Sequence, residues 1–442
     1  MRTAVIVACG SFSPPTYMHL QLFFAAKDYL KQRYERVLGV CSPVHDAYQK
    51  KDLLPSHHRV RLCQSLFEQY SWIKVDKFET EQGDFTRTAL VLPQLRHNVM
   101  KRMREEGEDI KDDDVDCCLL CGTDLFNSFF IPEVWTEEDV ISIQNDFGVL
   151  IIEREGEVAK IDFAKKNNPT AKLFGPVQPV TKNNLSSSLI RKLLRAGKST
   201  RHLLSAEVEK YCLQHQFWDG IMPVTRRGDI FSSPPAESER EGEREQTVSD
   251  ASHQHGDAPI LVLLASLSRY TLTHARVVEE LVEDFVTNTR QKPHIVCISL
   301  THMEEESRQK VKSELEKEYE NVIHSIQVDN MEAANDMIST EWQRVAKVVV
   351  PSSDVKDVVE MESFARVMRS MREGGVTKIG VSNVGGKCEH LHALREVCGD
   401  KLDVEELESE VLLSIPASMV LKREEEGKET GFLLPYPLST SP

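Results

Sequence analysis

The stretch Val5–Leu20, VIVACGSFSPPTYMHL, restricts what this chain can fold into more than any other part of it. Val5, Ile6, Val7 and Ala8 form a short apolar run of the kind that becomes a strand buried on both faces of a parallel sheet. Gly10 permits a sharp turn, Pro14 and Pro15 cannot extend a central strand, and Thr16 is placed to cap a helix starting near Met18. Strand, small-residue loop and helix N-terminus gather backbone N–H groups around one point, with His19 in the first helical turn. That geometry suits a phosphate. An ordinary strand-to-helix turn with a structural histidine fits the same residues when they are taken alone.

A chain of 442 residues is long enough for two or three domains. No apolar stretch approaches the ~20 residues needed to cross a bilayer, and the start of the chain lacks a basic segment followed by an apolar core. A cytoplasmic or nuclear compartment and no membrane partner are therefore expected. The net charge of −16 is uneven: through Gly220 there are 29 Lys and Arg against 30 Asp and Glu, and beyond it 25 against 40. A near-neutral first half can hold cationic pockets for small anions, while the acidic second half argues against nucleic acid as a partner. Among ten cysteines, Cys117, Cys118 and Cys121 form the one tight cluster. No second CxxC pair follows and the surroundings are apolar, so buried thiols rather than metal ligands are expected.

Strand and helix patterns alternate through the first half. Helix His19–Gln32, strand Arg36–Val40, helix Ser56–Tyr70, strand Trp72–Asp76, helix Phe85–Met103 and strands Cys117–Leu120, Phe147–Ile152 and Lys172–Val180 are expected. This rhythm predicts an α/β fold, a doubly wound parallel sheet with ligands at the carboxyl ends of its strands. A second informative stretch is Leu185–Gly197, LSSSLIRKLLRAG. Ser186–Ser188 supply a cap and a polar first turn, Ile190, Leu193 and Leu194 share an apolar face, and Gly197 stops the helix. Serines at a helix start with Arg191 one turn on make a second anion site.

GSFSPPTYMHL resembles the phosphate-binding signature GSFNPxTxMHL of eukaryotic nicotinamide/nicotinate mononucleotide adenylyltransferases, within the nucleotidylyltransferase superfamily. Ser13 stands where that signature usually has Asn. LSSSLIRKLLRAG resembles the family's second signature, ISSTKIRxxLRxG, in the expected order, and SPVHDAYQKKDLLPSHHRV, SWIKVD, LLCGTDL and PEVW mark the span between. The resemblance covers about Val5–Phe217 and implies a Rossmann-like nucleotidylyltransferase. It implies transfer of AMP from ATP to nicotinamide or nicotinate mononucleotide, giving the dinucleotide NAD, or its deamido form, and pyrophosphate, with Mg²⁺ accompanying ATP. A sister nucleotidylyltransferase with another acceptor, and a nucleotide-binding regulatory or chaperone-like scaffold, are the alternatives.

Carried onto this sequence, the resemblance implies that His19, Lys51 and Arg191 act on the phosphates. It puts Gly10, Ser11, Phe12, Gly122, Asp124, Asn183, Ser188, Leu189 and Ile190 around the nucleotides and Trp72, Val134 and Trp135 beside the pyridine ring. Lys74 is a departure, a cation where close relatives can be acidic. The reaction needs no general base, because a phosphate monoester has a second pKa of about 6 and is already largely dianionic at neutral pH. Positioning and charge neutralisation are the difficulty.

Residues 1–222 form the expected catalytic domain. Residues 223–258, rich in Ser, Pro, Glu and Arg, read as a linker. Residues 259–442 resume an α/β rhythm as an accessory domain. There, MESFARVMRSMREGGVTKIGVSNVGGK resembles the segment ending in IGxSN of aldo/keto reductase barrels and their inactive relatives, which implies a truncated or divergent, non-catalytic domain of aldo/keto reductase kind. The family resemblance implies assembly into a homo-oligomer, with no interface readable from the sequence.

Overall fold

The computed structural model describes residues 2–154, 156–220 and 259–433, the last span without 266–270, 290–292, 300–308, 311–312, 314, 316–321, 328–344, 357–363, 365–366, 369–370, 372–375, 386, 399–401, 410–412, 416 and 431–432. The linker expected at 223–258 lies outside the described residues. Two six-stranded parallel sheets organise the rest.

In the first sheet, β1 (Thr3–Gly10), β2 (Arg36–Pro43), β3 (Ile73–Val75), β4 (Val115–Gly122), β5 (Val149–Ile152) and β6 (Leu173–Val177) lie in the order β3-β2-β1-β4-β5-β6. The chain winds outward from β1 through β2 to β3, then returns to β4 on the other side of β1. Helices leaving the two halves diverge there, and the crevice opens at the carboxyl ends of β1 and β4. The strands are apolar on both faces because helices cover both. Ala4, Ile6 and Ala8 of β1 face one core; Val5 and Val7 face another.

Helix α1 (Tyr17–Leu30) begins where Thr16 turns extended and its hydroxyl accepts from the Met18 N–H. On the flanks lie α2 (Ser56–Phe67), α3 (Thr88–Glu105), α4 (Thr123–Ser128), α5 (Glu137–Ser142) and α6 (Ile161–Asn167). The short strand β7 (Lys182–Asn183) leads into α7 (Ser187–Arg195), capped by Ser186 and closed by Gly197 at φ +65°, and α8 (Ala206–Gln214) follows. A glycine is required there because the left-handed conformation strains any Cβ. Cys118 and Cys121 point to opposite faces of β4, into different cores, so their CxxC spacing cannot converge on one ion.

The second sheet is not an aldo/keto reductase barrel or a piece of one. Strands β8 (Ile260–Ala265), β9 (His294–Ser299), β10 (Val322–Gln327), β11 (Val345–Pro351), β12 (Lys378–Ser382) and β13 (Asp403–Leu407) form an open sheet in the order β10-β9-β8-β11-β12-β13. In a barrel consecutive strands neighbour one another all the way round. Here β8 lies between β9 and β11 and the winding reverses. The IGxSN likeness marks only a helix followed by an apolar parallel strand, a pairing common to both architectures. Helix α9 (Leu272–Thr289) follows β8; α10 (Leu391–Cys398), the strand β14 (Leu413–Ser414) and α11 (Ala417–Glu425) complete the described elements used below. Among the described residues no helix is long and apolar enough to cross a membrane.

Candidate active site

A cavity of about 770 Å³ opens at the switch between β1 and β4. Its floor is the loop Gly10–Phe12, one wall is His19 with Lys50, Asp124 and Arg154, another is the first turn of α7, and its mouth is aromatic.

His19 is held from behind. The backbone N–H of Thr16 donates to Nδ1 at 3.0 Å, and the Thr16 hydroxyl lies at the same distance. A nitrogen that accepts from an amide carries a lone pair, so the proton is on Nε2, toward the cavity. Burial pushes the His19 pKa down to about 4, with the cations Arg154 and Lys50 adding to the effect. At neutral pH the ring is an uncharged N–H donor.

Lys50, not Lys51, reaches the cavity. Its Nζ donates to Ser11 Oγ at 3.2 Å, whereas Lys51 is exposed and off the wall. Burial and the nearby Arg191 lower the Lys50 pKa. Asp124 accepts from Arg154 Nη1 at 2.7 Å, and both line the cavity. Gly122 is what allows this: a Cβ there would lie 2.7 Å from Asp124 Oδ1 and 3.2 Å from Arg154 Cδ. Sequence reading missed Arg154. The signal was available in a basic residue just past the carboxyl end of β5.

Arg191 stands behind the site instead of on its wall. Its Nη1 donates to the Ser13 carbonyl at 2.8 Å and its Nη2 to Ser188 Oγ at 3.2 Å. It therefore ties the first signature to the second. Ser13 accepts at its hydroxyl from the Leu54 N–H at 3.1 Å and donates to the Asp52 carbonyl at 3.2 Å, so it fastens the loop to 52–54. Arg59, fully buried and also missed, donates to the carbonyls of Ser11, Val44 and Leu54 and to Asp46. Ser186–Ser188 line the cavity, and Ser187 Oγ donates to the Pro14 carbonyl at 2.8 Å. Leu189 and Ile190 do not line it: their N–H groups bond to Ser186 Oγ and the Ser186 carbonyl, and the Ile190 side chain is core. Asn183 is buried against Gln21, donating to Oε1 at 2.9 Å, away from the wall.

Trp72 is half-buried and packs against the core, off the cavity. It packs edge-on to Phe23 and Phe24 at centroid distances of 6.3 and 5.4 Å, under the Lys27 ammonium at 4.3 Å. Lys74 is exposed on the edge strand β3 and off the cavity. The aromatic mouth is Trp135, with Val134 beside it, and the pair Tyr48 and Phe85, stacked at 5.6 Å and 28°. Trp135 is fixed by its Nε1 donating to Ser128 Oγ at 3.0 Å and by Phe129 at 4.8 Å. Deeper in lies Glu79, 1% exposed, accepting from Ser42 Oγ at 2.5 Å, its pKa pushed up by burial to about 7. Among the described residues no group of three His, Cys, Asp or Glu converges to hold a metal ion.

A doubly wound sheet with two helix N-termini, a neutral histidine and two cations converging on one crevice defines a nucleotide-handling protein of the nucleotidylyltransferase class. A family model described as cytidylyltransferase-like matches residues 7–193. Over 218 residues the chain is 41% identical to nicotinamide/nicotinic acid mononucleotide adenylyltransferase of Oryza sativa subsp. japonica, across 49% of this chain and 86% of that one. The protein of the same name from Arabidopsis thaliana is 35% identical over 220 residues, 48% and 89% of the two chains. Its counterpart 1 from Bos taurus is 34% identical over 248 residues, 48% and 88%. The chain belongs to the nicotinamide/nicotinic acid mononucleotide adenylyltransferase family.

Proposed function

We propose that residues 1–222 transfer AMP from ATP to nicotinamide or nicotinate mononucleotide, forming NAD or its deamido form and pyrophosphate. The observation that carries this is a cavity with a phosphate end, where the His19 N–H, Lys50 and Arg154 converge, and an aromatic end at Trp135, Tyr48 and Phe85. A mononucleotide has the same two ends. Its flat ring is bound by aromatic faces, and a pyridinium gains cation–π attraction.

The mononucleotide's 5′-phosphate oxygen attacks the α-phosphorus of ATP, a new P–O–P bridge forms, and the bond to the β-phosphate breaks to release pyrophosphate. No proton needs removing. Catalysis is alignment of two anions and neutralisation of their charge. His19 donates through Nε2 without changing protonation. Lys50 and Arg154 neutralise the oxygens, and the amides at the starts of α1 and α7 add partial positive charge. Arg191 acts by keeping the Ser13 loop and Ser188 in register. Mg²⁺ fits this site as the companion of ATP, because Asp124 is already paired with Arg154 and Asp139 with Arg87. When bound with ATP it would supply further neutralisation of charge at the phosphates.

The test is dinucleotide formation by the full chain from MgATP and each mononucleotide. Turnover that falls at least 100-fold in His19→Ala supports the reading. No turnover with either mononucleotide overturns it in favour of a sister transferase or a scaffold.

A further inference from the structure

The second sheet repeats the first in more than its strand order. Residues 265–274, ASLSRYTLTH, align with Gly10–His19, GSFSPPTYMH, keeping both serines, the threonine and the histidine at the same spacing. Each histidine opens the helix that follows the central strand, and each is held the same way. The Thr271 N–H donates to His274 Nδ1 at 2.9 Å and its hydroxyl lies at 3.1 Å, as at Thr16 and His19. Helices α7 and α11 are both nine residues long. Gly197 and Gly427, at equivalent positions beyond them, share φ +65°. The backbone N–H groups of the next residues, Lys198 and Lys428, donate back to the carbonyls of Leu193 and Arg423 at 2.9 Å each.

The phosphate-binding parts have changed. Ala265 replaces Gly10, and Leu421 occupies the α11 position that matches Arg191. His274 Nε2, whose counterpart offers its proton to a cavity, lies 2.8 Å from Asp354 Oδ2, with both side chains buried. A carboxylate against that nitrogen repels a phosphate.

The halves meet as two subunits related by a twofold axis would. Strands β7 and β14 pair antiparallel with Asn183 opposite Leu413, and these two residues each stand four positions before the first residue of their own helix. Equivalent residues thus face one another. Asp28 on α1 accepts from Arg423 at 2.8 Å. The matching position on α9, Glu283, accepts from the Ser199 N–H at 3.0 Å. Lys27 pairs with Glu429, and Arg276 donates to the Ser199 carbonyl at 2.8 Å. One apolar core runs through both halves. The contacts are reciprocal by segment, α1 against the stretch around the end of α11 and α9 against the stretch around the end of α7, with Glu429 and Ser199 at matching positions, which is the mark of an isologous contact. It also grips α7 from both ends, at β7 before it and Ser199 after it, while Ser186–Ser188 between them line the cavity.

We propose that residues 259–442 are a second, internal copy of the same fold that has given up phosphate binding and serves the first as a built-in subunit, with Glu283 and Arg276 as positioning residues for α7. The ligand of α7 is taken from the catalytic reading above. The test is calorimetry of the full chain with Mg²⁺ and the non-hydrolysable analogue α,β-methylene-ATP, and separately with nicotinamide mononucleotide. One analogue per wild-type chain is expected. Glu283→Ala should weaken the analogue about five-fold and leave the mononucleotide within two-fold, and Glu283→Gln, which keeps an acceptor oxygen, should restore it. Two analogues per chain, or an unchanged analogue affinity in Glu283→Ala, overturns the proposal. Turnover by the wild-type chain is scored separately and reports on the catalytic reading alone.

Discussion

The backbone N–H of Thr16 donates to Nδ1 of His19 at 3.0 Å, and this one bond decides which nitrogen of the ring carries the proton. The same bond completes the cap of α1, so the local structure that starts the helix also orients the donor at the site. With a pKa lowered to about 4 in the folded chain, His19 stays neutral through the physiological range.

The pH–rate profile should therefore show no histidine limb. Between pH 5.5 and 8, kcat/KM should follow the second ionisation of the mononucleotide phosphate, near pH 6, and the Glu79 carboxyl, near 7, with no contribution from His19. A profile measured with wild-type chain that carries an additional bell-shaped limb near 6.5 would mean that His19 titrates in its unperturbed range and exchanges protons with substrate.

The two adjacent lysines should separate cleanly. Lys50→Ala removes a cation from the cavity wall and should raise the KM for ATP about ten-fold, worth roughly 1.4 kcal/mol. Lys51→Ala removes an exposed charge and should stay within two-fold. Steady-state kinetics on the two variants decides this, and equal effects would contradict the side-chain placement.

The two tryptophans should separate as well. Trp135→Ala opens the aromatic mouth and should raise the KM for the mononucleotide about ten-fold, in the range of a lost aromatic contact. Trp72→Ala empties part of the packing around Phe23, Phe24 and Lys27. It should lower the unfolding temperature by several degrees, the scale of about 2 kcal/mol in a chain of this size, and change the KM values little.

Glu79 makes stability depend on pH. Its folded-state pKa of about 7 lies above its ordinary 4.5, so the folded chain binds the proton more tightly than the unfolded one. Stability is then fully present below pH 4.5 as far as this group is concerned and declines as pH rises toward 7, by about 3 kcal/mol in all. Glu79→Gln should remove that decline. Thermal melts of both proteins at pH 5 and pH 8 check it: the wild-type minus variant difference should become more negative at pH 8.

Much of the fold and part of the site were readable in the order of residues because the forces behind them are local. A β-branched run, a glycine turn and a threonine cap specify β1, its loop and α1 from within twenty residues. Ser186 and Gly197 likewise start and stop α7. Those signals marked the loop at Gly10–His19 and the start of α7; the family resemblance added Gly122, Asp124 and Trp135, and the fold brings all of these, with Ser11, Phe12 and Ser188, to one cavity. The reading failed where a side chain's direction depends on packing. Lys50 and Lys51 are chemically alike and adjacent, and Trp72 suits a core and a ring site equally.

What the sequence determined by itself, then, is the doubly wound character of the first half, an α/β rhythm in the second, and the two capped helix starts at the cavity, since strand periodicity, caps and turn residues act between near neighbours. Tertiary structure alone decided the rest. Arg154 meets Asp124 only when β4 and β5 align, and Arg191 reaches Ser13 across 178 positions of chain to become a tie between loops. The likeness between the two halves was spelled by little more than two serines, a threonine and a histidine. It became legible when two sheets showed one strand order, because the burial pattern that specifies a fold tolerates exchange of most residues while the order of strands does not change with them.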